Sequence, residues 1–116
     1  MADKVKISWW QWLPIWRWRI VAVVESADDI PQRVPRNGAV LVGVGAHPKW
    51  IAFNCPCRSG HRIMLNTDKL RSPHWTVTTR ASLTISPSID SAHLKRRCHY
   101  FIRNGRIKWV HERKTK

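Results

Sequence analysis

The sequence predicts a mainly β fold, a single small domain of about eight short antiparallel strands. Three observations carry this. Short apolar, β-branched runs recur along the chain, bounded by Pro, Gly, Asn and Ser turn signals. Asn104-Gly105 between two such runs is the strongest short hairpin signal. No stretch reads as a helix longer than about two turns.

Arg19–Val24 is β-branched and reads as the first strand. Ser26–Asn37, with Asp28, Asp29, Pro31 and Pro35, reads as loop. Ala39–Val44 is the second strand and Trp50–Phe53 the third, which feeds into Cys55-Pro56-Cys57. Arg62–Leu65 follows the Arg58-Ser59-Gly60 turn as a fourth. Residues 66–73 are polar and form a loop. Trp75–Thr79 and Ser82–Ile85 are two more strands, the second ending at Ser86-Pro87-Ser88-Ile89. Cys98–Arg103 and Arg106–Val110 flank Asn104-Gly105 as the last hairpin.

The folded domain is expected over residues 19–111. A Trp/Arg-rich segment (1–18) precedes it and a basic tail (112–116) follows. In the first segment Trp9, Trp10, Trp12, Trp16 and Trp18 sit with Arg17 and then Arg19, and Pro14 leaves room only for a short N-terminal helix. These Trp either cap the core or form a membrane-surface or partner-docking segment.

At 116 residues the chain has the length of one domain and can bury a core without a staple. Hydrophobic residues at 43% are too many for a disordered basic tail. No run of about 18 apolar residues exists, so no spanning helix is expected. A secretory signal is not expected, and the cysteine usage leads to the expectation of a reducing cytoplasm. A Walker loop and a G-x-G-x-x-G turn are absent. Lys plus Arg is 21 against 7 Asp plus Glu, a net charge of +14, which suggests acidic partners. Weak, salt-dependent nucleic-acid binding is expected from charge alone.

The three Cys are Cys55, Cys57 and Cys98. An odd number with such close spacing argues against a disulfide scaffold and for a reducing compartment. Thiolates with imidazole nearby suit zinc, so the fold is expected to hold a bound zinc. Adjacent strand residues point to opposite faces, so Cys98 and His99 should not serve one metal. That leaves His61, His99 or water as alternatives for the fourth position. His47, His74, His93 and His111 show no pattern of their own. Ser86 and Ser88 are candidate nucleophiles if a base lies within reach, His99 or His61, with Asp90 or Asp68 as orienter.

Taken together, certain segments resemble a known family. They are Glu25-x-x-Asp28-Asp29-Ile30-Pro31, Trp50-x-Ala52-Phe53-x-Cys55-Pro56-Cys57, Ile63-x-Leu65-Asn66, Pro73-x-Trp75, Leu83-x-Ile85-Ser86-Pro87-Ser88-Ile89 and Cys98-His99-Tyr100-Phe101-Ile102-Arg103-Asn104-Gly105-Arg106-Ile107-x-Trp109. The resemblance, over roughly residues 16–110, is to a small bacterial domain family found in operons for ubiquitin-like conjugation linked to phage defence. It implies a cysteine-bound zinc and a peptidase (hydrolase) that trims a ubiquitin-like precursor. It also implies that ubiquitin-like protein and its conjugation enzymes as partners. The chain departs from the family pattern in two places. Ser59 stands where many relatives have a third Cys, and Val110 stands where many have Cys after the Trp. Both remove thiolates and strengthen the case for His61.

Three readings follow. In the first, Ser88 or Ser86 attacks with His99 as base, and zinc at Cys55, Cys57 and Cys98 is structural. The second is a non-catalytic, zinc-stabilised basic module that binds nucleic acid or an acidic protein. The third is a structural accessory of a conjugation complex acting through its Trp-rich start.

Overall fold

The computed structural model describes residues 7–13, 16–44, 47–57, 62–79, 82–90 and 98–110. Eight strands lie among them: β1 (Arg19–Val24), β2 (Gly38–Val44), β3 (His47–Asn54), β4 (Arg62–Asn66), β5 (Thr76–Thr78), β6 (Thr84–Asp90), β7 (His99–Arg103) and β8 (Arg106–Trp109). They form two four-stranded sheets, ordered β1-β2-β3-β4 and β5-β6-β7-β8. The mainly β expectation holds. Trp9–Trp12 forms a short 3₁₀ turn, and no described helix is long and apolar enough to cross a membrane.

One pair departs from the antiparallel expectation. β1 and β2 run parallel, while every other described pair is antiparallel. The cause is the connection. A tight turn returns a chain antiparallel, whereas a parallel neighbour needs a crossover. Residues 25–37 supply it, with a 3₁₀ turn at Ala27–Asp29 capped by Ser26, whose hydroxyl accepts from the Asp28 N–H at 3.1 Å.

That crossover also explains the composition of β2. Ala39 packs into the main core with Ile51, Phe53, Ile63 and Leu65. Val40 and Val42 face the other way, into a second cluster with Val24 and Val34, against which Ile30 of the crossover packs. Buried on both faces, β2 is apolar throughout rather than alternating. β4 has one wet face and alternates, with Ile63 and Leu65 buried and Arg62 and Met64 exposed. The second sheet adds Ile85, Ile89, Tyr100 and Ile102 to the main core, so the two inner faces share one interior.

Trp18 ties the N-terminal segment to that core. Its ring is buried and meets Phe53 edge-on at 5.4 Å. The Trp18 backbone N–H donates to the Gly105 carbonyl at 2.8 Å, and the Trp18 carbonyl accepts from the Leu83 N–H at 3.1 Å. The Gly105 N–H in turn donates to the Leu83 carbonyl at 2.7 Å. Trp9, Trp10 and Trp12 stay exposed, so of the two roles open to the N-terminal Trp, only Trp18 takes the core one completely.

The β7–β8 turn needs its two residues. Asn104 has φ 50° and Gly105 φ 77°, both positive as a two-residue hairpin of this hand requires. A Cβ on Gly105 would also lie 2.7 Å from the Cβ of Arg17. Replacing Gly105 with Ala is therefore expected to destabilise the fold by about 2 kcal/mol or more. A urea titration checks this; an unchanged midpoint would show that the Trp18–Gly105–Leu83 junction yields freely.

Candidate active site and metal centre

Cys55 and Cys57 lie on the turn that ends β3, and Cys98 immediately precedes β7. The three sulfurs lie within 4.8 Å of one another, so the structure brings together the three thiols expected to share a metal. The backbone N–H of Cys57 donates to the Cys55 sulfur, and the Tyr100 hydroxyl donates to it at 3.7 Å. Burial pushes the Cys55 thiol above its ordinary value. Burial first, then hydrogen bonds and charge from Cys57 and Cys55, pushes Cys98 up to about 12. Burial also holds the Tyr100 hydroxyl protonated, as a donor. Two buried sulfurs and a half-buried one, crowded together, would not all carry charge unaided, and a soft cation among them would supply the compensation. The donor set fits such an ion. His99 is not part of this cluster, and His61, His93 and His111 lie outside the described residues.

The serine motif is placed differently from its expectation. Ser86-Pro87-Ser88 does not end a strand; it lies inside β6. The ladder to β7 breaks there. β6 advances from Ile85 to Ile89 while β7 moves only from Ile102 to Tyr100, so the serine motif bulges from the register. Pro87 has no N–H to give a ladder, and a bulge tolerates it. The alternation of apolar Ile85 and Ile89 continues on both sides of the motif, which is why a strand forms there.

The bulge brings Ser88 to His99. Ser88 Oγ and His99 Nε2 are 2.9 Å apart, both side chains half-buried. Ser86 is exposed and is registered with Thr76 of β5. Trp75 fixes the bulge by donating its indole N–H to the Ser88 carbonyl at 3.1 Å. Its own backbone N–H reaches the Asn66 carbonyl at 2.8 Å and links the sheets. Asp90 is the cross-strand partner of His99, which sets both side chains on one face. Asp68, the other acid considered as orienter, instead accepts from the Leu70 N–H at 3.0 Å within its own loop.

Sequence reasoning named Ser88, His99 and the three Cys but passed over Trp75 and Tyr100 as contributors. Trp75 could be seen only as a strand start, because its bond to Ser88 joins residues 13 apart in the chain. Tyr100 had one usable signal: two positions after Cys98 on a strand, it shares the face of that cysteine.

Residues 26–110 match the family model described as BubE, bacterial ubiquitination-like system serine protease. No curated protein and no solved structure matches.

The raised thiols make metal affinity pH-dependent. Below their pKa the sulfurs carry protons that a metal must displace, so binding strengthens as pH rises. Zinc titrated into the metal-free chain should release protons, and log affinity should rise by as much as about one unit per thiol for each pH unit. Calorimetry in buffers of different ionisation enthalpy counts the protons. A pH-independent affinity would show that the three sulfurs are not the ligands.

Proposed function

The chain belongs to the family of bacterial ubiquitination-like system serine proteases, and from that premise we propose that it cuts a ubiquitin-like precursor after its terminal glycine. The same cleavage would release the ubiquitin-like protein from conjugates. The observation that carries this reading is the 2.9 Å contact between Ser88 Oγ and His99 Nε2. A nucleophile and a base within hydrogen-bond reach are what acyl transfer needs.

Ser88 is the nucleophile in this reading. With the imidazole proton on Nδ1, Nε2 takes the hydroxyl proton as Oγ bonds to the scissile carbonyl carbon. Asp90, opposite His99 in the ladder, orients the ring and steadies its charge. Backbone N–H groups of the bulge lie outside the β6–β7 register, and they would hold the oxyanion. His99 then gives its proton to the leaving amine. Water attacks the acyl ester, with His99 again taking the proton, and Ser88 is restored. A ubiquitin-like C-terminus is an extended chain, and the half-buried position of Ser88 on a sheet face leaves room for one.

Cys55, Cys57 and Cys98 would hold zinc, with His61 as the proposed fourth ligand. When bound, zinc would cross-link the turn after β3 to the residue before β7 and so steady the backbone that carries His99. Three thiolates donate much negative charge and make a weak Lewis acid, so the metal is assigned a structural role.

Replacing Ser88 with Ala should lower precursor cleavage by about 10³-fold or more, with zinc retained. Replacing Ser86 with Ala should leave most activity. Asp90→Asn should cost about 10² to 10⁴-fold without changing the fold. Mass spectrometry of a ubiquitin-like precursor over time reads all three. Cleavage that survives Ser88→Ala but not Ser86→Ala would move the nucleophile to Ser86.

A further inference from the structure

A cavity of about 740 Å³ opens beside β8, the edge strand of the second sheet. Neither Ser88 nor His99 lines it. Its walls carry Trp16 and Trp109 together with Arg17, Arg36 and Arg106, and no Asp or Glu is among the described residues that line it. The three arginines are exposed, and Trp109 is 42% exposed, so charge and an aromatic surface are both presented to solvent.

Both rings are held in place. Trp109 packs edge-on to Tyr100 at 5.3 Å. Trp16 donates its indole N–H to the Trp10 carbonyl at 2.7 Å and meets the Trp10 ring at 5.5 Å. The Arg19 guanidinium lies over the Trp16 ring at 5.6 Å and adds a further positive group. Arg19 is itself anchored by bonds to Gln11 Oε1 and to the Gln11 carbonyl, each at 2.6 Å. Trp16 and Arg17 precede the residues that the family model matches, so part of this wall lies beyond that match.

We propose that this cleft binds single-stranded nucleic acid. Phosphates would sit on Arg17, Arg36 and Arg106, and unpaired bases would stack on Trp16 and Trp109. Fixed aromatic faces interleaved with planar guanidinium groups are the chemistry that grips a single strand without reading its sequence. A duplex keeps its bases stacked on one another and offers the rings nothing. An acidic peptide satisfies the arginines but leaves the indole faces without flat partners. The net charge of +14 draws a polyanion from a distance, and the cleft gives that attraction a fixed address.

The test is fluorescence anisotropy of a labelled oligothymidine of about twelve nucleotides with the full chain, across a salt series. Replacing Arg17, Arg36 and Arg106 together with Ala should reduce the log–log salt slope by about 2. Trp109→Leu should weaken binding by about tenfold while leaving the slope unchanged, because it removes stacking and no charge. Replacing Lys49, Lys69 and Arg71, which lie outside the cleft, removes the same charge and should leave most of the affinity. Near-ultraviolet circular dichroism confirms folding, and if the arginine variant unfolds, Trp109→Leu alone decides. Equal losses from the two charge variants would overturn the proposal, since binding would then follow net charge. So would an oligoglutamate peptide that displaces the strand at equal concentration, which would assign the cleft to an acidic protein.

Discussion

Adjacent residues of a strand point to opposite faces, and the organisation of this protein depends on that constraint at β7. Tyr100 and Ile102 face inward to the core, and Cys98 is buried with them at the entry to the strand. His99 faces outward to Ser88. One short stretch thus serves a cysteine cluster on one side and a serine–histidine contact on the other. Cys98 and His99 are consecutive residues, so the two groups share one piece of backbone. An ion held by the three sulfurs would steady the backbone next to His99.

The bulge in β6 is the counterpart of this constraint. A regular ladder would have carried residues 86–88 along as ordinary rungs. The break between Ile85 and Ile89 lets two buried isoleucines keep their places while the serines between them leave the register. Trp75 then stops the freed segment from wandering, through a bond to the Ser88 carbonyl that leaves the hydroxyl available for His99. Ser88 is positioned by backbone geometry and one indole.

Charge is distributed by a different logic. Seven acidic residues against 21 basic ones leave a chain that repels itself. Burial of both faces of β2, together with the crossover over it, supplies the apolar interior that offsets this. Among the described residues, Arg17, Arg36 and Arg106 gather around the cavity beside the β8 edge. The hydroxyl–imidazole pair on β6 and β7 and the cationic aromatic cleft beside β8 therefore offer different chemistry.

The sequence by itself determined the strands, because β-branched runs, Pro and Gly boundaries and the Asn104-Gly105 turn are local signals whose physics needs only near neighbours. It also pointed to Cys55, Cys57 and Cys98 as one group and, since strand alternation is local too, to opposite faces for Cys98 and His99, with His61, His99 or water left open for the fourth metal position. The parallel pairing of β1 with β2 was not legible, because it depends on where a 13-residue crossover (25–37) lands. The place of Ser86-Pro87-Ser88 was misjudged for a related reason: Pro and Ser read locally as a strand end, and only the partner strands turn them into a bulge. Tertiary structure alone chose Ser88 over Ser86 as the neighbour of His99, set Trp75 behind it and gathered Trp16, Arg36 and Trp109 around one cavity. Those contacts join residues far apart in the chain, and no local preference carries their distance.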